Sequence, residues 1–415
     1  MKRIAIIGSG ISGLTAAWVL SRRHQVVLFE AEDRIGGHTC TVEVEDPLGK
    51  LQVDVGFIVF NDRTYPDFHR LLEQLGVSRQ PTKMGFAISC EKTGLEYSGD
   101  GLGGLFAQKG NLLSFSHWRM IGDILRFNRE APALLHSKEG ELPLGDYLRR
   151  GGYSQRFCDH YILPMGGAIW SCSDEQMKAF PAKFFVRFFD NHGLLTITNR
   201  PQWYVIPGGS SRYVEKLLTG LQAEVRKSTP VRQVRRLDQG VMVNSGAGDE
   251  VFDDVVFACH SDQALALLAD ADMDERQLLG NIPYQDNDVV LHTDVSLLPA
   301  ARRCWSSWNA LLPAKRGDRV QVTYNMNILQ GLKASNTWCV TLNATDRIDP
   351  AKVVQRFNFS HPLFTPAGLA NRTELLGKVN GRRNTWFCGA WCRNGFHEDG
   401  VVSALAVAAG FGESL

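Results

Sequence analysis

Gly8, Gly10 and Gly13 stand in the order G-x-G-x-x-G, and Glu30 follows 17 residues after the last of them. In that pattern the first glycine permits a tight turn and the second lets the backbone approach a diphosphate. The third lets a helix pack close against a strand. Ile11 and Ser12 then lie at the start of that helix, where free N–H groups and partial positive charge meet phosphate. Glu30, with Ala31 beside it, is placed to accept hydrogen bonds from ribose hydroxyls. A 2′-phosphate there would face a carboxylate, so NADP is disfavoured. The chain continues Arg34-Ile35-Gly36-Gly37-His38. An arginine and two glycines here extend the phosphate site beyond what NAD needs.

These residues have to be held by strands and helices. Residues 3–7 are a buried apolar run that Gly8 ends. Residues 11–22 carry apolar or small side chains at helical spacing, and 25–30 are a β-branched run ending in an acid. This β-α-β unit of about 30 residues requires a parallel strand pair and a right-handed crossover. Residues 85–98 read as a hairpin around Lys92-Thr93-Gly94. From about 112 to 200 the pattern is helical and aromatic. Pro207-Gly208-Gly209 precede a helix over 211–223, then strands near 231–236, 240–244 and 251–258. Alternation over 286–345 predicts antiparallel strands of a second sheet. A short strand at 385–389 and a small-residue helix over 401–410 close the chain.

The run from Gly8 to His38 resembles the fingerprint of the flavin-containing amine oxidase superfamily, which includes monoamine oxidases, phytoene desaturases and protoporphyrinogen oxidases. His38 stands where that family usually has an arginine. Further segments match in order along the chain. Asp54-Val55-Gly56-Phe57 resembles the family's segment beside the flavin. Trp203 through Gly209 resembles the start of its second FAD segment. Val231 matches the residue whose backbone meets adenine. Phe387-Cys388-Gly389-Ala390 and Asp399-Gly400-Val401-Val402 resemble its last flavin segment. The resemblance implies an α/β fold: a Rossmann-type FAD-binding domain with an inserted α+β substrate domain of antiparallel sheet and helices. It implies FAD, and the position of Cys388, which does not match the family's covalent cysteine, leads to the expectation that FAD is bound non-covalently. Residues 1–80, 205–280 and 376–415 are expected to form the FAD domain, and 81–204 and 281–375 the substrate domain. A helix starting near Val401 would aim its N-terminus at the flavin.

For the substrate half, His192 and Tyr324 are candidates for polarising a substrate. Members that oxidise monoamines carry an aromatic cage, and counting back from Asp399-Gly400 puts His397 at one cage position. Phe396 is adjacent. Phe184, Phe185, Phe188 and Phe189 fall at helical spacing, which reads either as core packing or as an apolar substrate tunnel. The implied reaction removes a hydride from a C–N or C–C bond of a small or lipid-like substrate. Two rivals are a non-redox flavoenzyme, mutase or isomerase, of the same fold, and a flavin-binding module without turnover.

The chain has 415 residues with 45 basic and 44 acidic side chains, a formal charge of +1. Bulk charge therefore argues against a nucleic-acid partner. Nine cysteines, an odd number without a C-x2-C pair, point to a reduced, cytoplasmic setting and no metal site. Glycines interrupt the apolar N-terminal run, so it reads as strand, loop and helix rather than a signal peptide. No stretch is long enough to span a membrane. Leu102, Leu105 and Phe106, then Leu112, Leu113, Phe115, Trp118, Met120 and Ile121, leave peripheral membrane contact open.

Overall fold

Ile4, Ala5 and Ile6 have no solvent exposure, as an apolar run of this length requires when both faces of its strand are covered. In the computed structural model, which describes residues 1–315 and 319–415, Arg3–Ile7 is the central strand of a five-stranded parallel sheet. Gln25–Phe29 and then Glu224–Arg226 lie on one side of it, and Asp254–Phe257 and then Thr385–Phe387 on the other. One face packs on the helices Ile11–Leu20 and His397–Gly410 through Leu14, Ala17, Ala404 and Val407. The other face packs on an antiparallel ribbon, Val231–Arg236, Val241–Ser245 and Gly248–Phe252, through Val234, Val243 and Phe252.

A second sheet has seven strands in the order Val353–Pro362, Tyr284–His292, Cys339–Leu342, Gln321–Asn325, Trp308–Leu312, Phe86–Cys90 and Leu95–Ser98. It is antiparallel as expected, with one exception: Trp308–Leu312 pairs with Phe86–Cys90 in parallel. The helices between residues 101 and 191 cover part of this sheet. They share a core with it in which Phe127, Phe157, Phe185 and Phe189 are almost fully buried.

Several boundaries differ from the sequence reading. The run 251–258 is two strands in different sheets, split at Asp253. That residue donates its N–H to Arg3 O at 2.8 Å and accepts from Arg3 N at 2.6 Å, which turns the chain from ribbon to parallel sheet. Val295 starts a short 3-10 turn instead of extending a strand. The last helix begins at His397, four residues before Val401. Asp399 explains the shift: its carboxylate accepts from Phe396 N at 2.9 Å and Asn394 N at 3.2 Å, closing the helix start early. Among the described residues no helix is long and apolar enough to cross a membrane.

Candidate functional site

The glycine loop lies at the carboxyl ends of the parallel strands, where ligands of open α/β sheets bind. A Cβ at Gly13 would stand 1.9 Å from Gly8 O, and one at Gly8, whose φ is +103°, would stand 2.9 Å from Ala258 O. Neither position can carry a side chain without moving backbone. Gly10 is the opposite case: a Cβ there would meet nothing within 4 Å. It caps the helix Ile11–Leu20 with no side-chain partner, so open space lies at the positive end of that helix. Gly37 backs the same space, since its Cβ would come 3.0 Å from Gly10 Cα.

Glu30 secures this loop. Its Oε2 accepts from Ser9 N at 3.0 Å and Ser9 Oγ at 2.5 Å, and its Oε1 accepts from Glu32 N at 3.0 Å. Ser9 is a member of the site that the glycine pattern does not mark. Ala31 is exposed beside it. Arg34 clasps the next turn by donating to Thr39 O at 2.9 Å and Gly37 O at 2.7 Å. Gly36 N donates to Ser9 O at 3.1 Å, which ties the second glycine pair to the first loop.

His38 lies within 5.7 Å, ring centre to ring centre, of His260, His361 and Phe359. Its Nε2 is 3.2 Å from Ser360 O. Burial, with His260 adding to it, holds the His38 pKa down at about 4. Burial and His361 do the same for His260, also about 4, and burial and His38 bring His361 to about 3. Three neutral imidazoles therefore meet where the parallel sheet faces the seven-stranded one. His260 lies three residues after the end of the strand Asp254–Phe257. Its place just past a parallel strand was the available sequence signal, and it was missed. Among the described residues no group of three or more His, Cys, Asp or Glu is placed to hold a metal ion.

The Asp54–Phe57 segment is anchored by a fully buried carboxylate. Asp54 accepts from Thr41 Oγ1 at 2.5 Å, Ser210 N at 2.8 Å, Ser210 Oγ at 3.1 Å and Gln330 Nε2 at 3.0 Å. Burial raises its pKa to about 7 against these bonds. It thereby ties residues 54–57 to Pro207-Gly208-Gly209-Ser210. Gly56 must be glycine, because a Cβ would lie 1.9 Å from His38 O. Phe57 N donates to His38 O at 2.8 Å.

The Phe57 ring turns inward and stacks on His397 at 3.5 Å between centres and 8° between planes. Tyr213 OH lies 2.5 Å from His397 Nε2 and also bonds Thr39 Oγ1. His397 is thus held inside the molecule, and burial keeps its pKa well below the usual imidazole range.

Its neighbour Phe396 faces the other way. That ring stacks on Phe188 at 4.9 Å and approaches His192 at 5.8 Å. The aromatic wall at this end of the chain is therefore Phe396. His192 stacks on Phe188 at 3.8 Å, and its Nδ1 is 2.9 Å from Phe188 O. A carbonyl only accepts, so Nδ1 carries the proton and Nε2 keeps a lone pair. Burial lowers the His192 pKa to about 4. Tyr324 packs edge-on against Trp308 at 5.1 Å, and burial raises its phenol pKa. The phenylalanines at 184–189 divide: Phe185 and Phe189 stack on each other at 4.0 Å inside the core, while Phe188 reaches Phe396.

At the far end, Gly400 packs so close to the glycine-loop helix that a Cβ would come 2.6 Å from Ile11 Cγ2 and 2.9 Å from Ser12 Oγ. Ile11, Ser12, Gly389 and Val401 are buried and Ala390 is half-buried. Gly389 N donates to Ser403 Oγ at 2.9 Å. Val231 is half-buried and pairs with Ser245. The structure therefore brings the loop residues 8–13, residues 30–38, the 54–57 segment and residues 389–401 around the same strand ends. His192 and Tyr324 sit on the side of the aromatic core.

The profile of the family described as flavin containing amine oxidoreductase matches residues 11–294, well over half of the chain. A Mycobacterium tuberculosis protein named as a flavin-containing monoamine oxidase, AofH, is 27% identical over 255 residues, covering 59% of this chain and 54% of that protein. The chain thus spans about half the length of that curated relative. Among solved structures, cyclohexylamine oxidase from Brevibacterium oxydans aligns with a TM-score of 0.68 at 16% identity, over 99% of both chains. A fatty acid isomerase from P. acnes aligns with a TM-score of 0.68 at 17% identity, over 99% of this chain and 98% of that one. At those identities the likeness is one of fold.

Proposed function

The chain belongs to the flavin-containing amine oxidoreductase family, and from that premise we propose that it is an FAD-dependent oxidoreductase acting on an apolar, lipid-like substrate. A flavin cofactor follows from the family. That it is FAD, bound non-covalently, is our reading. The observation that carries it is the contrast within the glycine loop: Gly8 and Gly13 are closed by backbone, while Gly10 opens onto free space at a helix N-terminus. That space suits a diphosphate, and a Cβ at Gly10 would project into it.

Gly10, Ile11, Ser12 and Gly37 would hold the diphosphate through backbone. Glu30 fixes the loop through Ser9 and keeps acceptor capacity for a ribose. Arg34 stiffens the Gly36-Gly37 turn. Gly56, Gly389, Ala390 and Gly400 would border the ring system, and Val231 the adenine. Flavin, when bound, supplies a hydride acceptor at N5. Phe396 and Phe188 offer apolar walls that orient a substrate and exclude water. His192 Nε2, unprotonated at neutral pH, can accept a hydrogen bond from a substrate. Tyr324 keeps its hydroxyl proton and can donate a hydrogen bond. His38 in place of an arginine lowers the fixed positive charge near the cofactor.

Anaerobic stopped-flow reduction across amines and fatty acyl compounds tests this reading. Affinity for acyl compounds should climb with chain length, at about 0.8 kcal/mol per buried CH2. Fast bleaching by benzylamine or spermine, with none by fatty acyl compounds, would reject the lipid-like substrate.

A further inference from the structure

We propose that the face formed by the helix Phe115–Glu130 and the turns before it docks on the headgroup region of an anionic lipid bilayer. Leu113 is 93% exposed, Phe115 80% and Leu102 75%, with Leu112 and Trp118 at 49% each. Five large apolar side chains within 17 residues form a patch of the kind that marks an interaction surface. The patch is built rather than frayed. Trp118 Nε1 donates to Leu112 O at 2.8 Å, and the Trp118 ring packs on Phe106 at 5.1 Å. Ser114 caps the helix. The opposite helix face is anchored by His117, Met120 and Phe127, which are buried. The apolar side chains are therefore presented outward by a rigid base.

Charge selects the partner. From 100 to 130 the exposed charged residues are Asp100, Lys109, Arg119, Arg129 and Glu130. Arg129 and Glu130 pair with each other at 2.9 Å at the end of the helix, and the Asp100 carboxylate accepts from Ser306 Oγ, which leaves Lys109 and Arg119 as the charges beside the apolar side chains. Asp123 is buried. Asp123 is also paired to Arg126 at 3.2 Å. An apolar ridge of Leu, Phe and Trp flanked by Lys109 and Arg119 is the pattern of a helix lying in a membrane interface, and these cations favour anionic headgroups. A second copy of this chain on the same patch would place Lys109 and Arg119 of both copies in one interface.

This proposal goes beyond the oxidoreductase reading and stands or falls separately from it, since vesicle binding needs no turnover. Flavin-loaded protein is floated with vesicles of phosphatidylglycerol and phosphatidylethanolamine, and in parallel with pure phosphatidylcholine. The wild type is expected to bind the anionic vesicles at least tenfold more tightly. Leu113→Asp with Phe115→Asp should cut that binding at least tenfold while circular dichroism and flavin content stay unchanged. Lys109→Glu with Arg119→Glu should erase the preference for anionic lipid. Three outcomes would overturn the proposal: no wild-type binding to either vesicle, equal binding by wild type and the Leu113/Phe115 variant, or a dimer in sedimentation that the same substitutions dissolve.

Discussion

The glycine cradle and the aromatic wall are built by opposite means. In the cradle the working feature is missing side chain: backbone approaches at Gly8, Gly13 and Gly56 leave no room for a Cβ, and Gly10 opens onto free space. At the wall the working feature is large side chain, with Phe396, Phe188 and His192 stacked in sequence. A backbone-built site tolerates almost no substitution and binds one kind of group. A site built of rings can change its shape by single substitutions while the cofactor site stays intact.

Substitution within the cradle should give the largest effects and divide by position. Gly13→Val drives a side chain into Gly8 O, so folded protein should be lost, beyond the roughly 1–3 kcal/mol typical of overpacking. Gly10→Val should fold normally by circular dichroism yet retain no flavin. Identical behaviour of the two variants would erase the distinction between closing and opening glycines.

The aromatic region should respond in the reverse order. Phe185→Ala removes a fully buried ring stacked on Phe189. It should cost about 3–5 kcal/mol in urea unfolding with flavin content per folded molecule unchanged. Phe396→Ala, at the half-buried end of the same cluster, should raise the substrate concentration needed for half-maximal flavin reduction and alter stability far less. Flavin loss in Phe396→Ala would mean that the wall belongs to the cofactor site.

Glu30→Ala is a smaller test of the cradle. It removes the acceptor for Ser9 N and Ser9 Oγ and should weaken FAD binding by about 1.5–3 kcal/mol. Titration of the apoprotein with FAD measures it.

The mildest effects come from pH. His38, His260 and His192 fold with pKa values of about 4, below the ordinary histidine value. Stability from these neutral rings is complete above about pH 6.5 and is lost as pH falls toward 4. Asp54 and Glu398, raised to about 7 by burial, act in the other direction: their contribution is complete below about pH 4 and is lost as pH rises from there through 7. The two sets oppose each other between about pH 4 and 7, and Asp54→Asn, by removing one falling contribution, should make the apoprotein's melting temperature rise more steeply with pH across that interval.

The cradle was largely legible in the sequence because close approach leaves glycine as the one residue that fits, and a strand–loop–helix context confirms the spacing. What surrounds it was not. Asp54 meets Ser210, and His397 meets Phe57 and Tyr213, across separations of more than 150 residues that no local pattern encodes. The start of the last helix was missed because its small-residue periodicity begins at Val401, whereas the capping carboxylate of Asp399 sets its beginning at His397. The aromatic run 184–189 showed its helical period but not its split between core and wall. That split depends on what packs against each face.

The account rests on FAD held by the Gly10 cradle without a covalent link. All nine cysteines are free, and Cys388, in the segment that resembles the flavin-binding one, is fully buried with its thiol pKa pushed well above the usual value. Acid precipitation of the purified protein followed by chromatography of the supernatant measures this directly. The account predicts one FAD per chain in the supernatant for the wild type and none for correctly folded Gly10→Val. FMN, flavin retained in the pellet, or equal FAD from both proteins would contradict it.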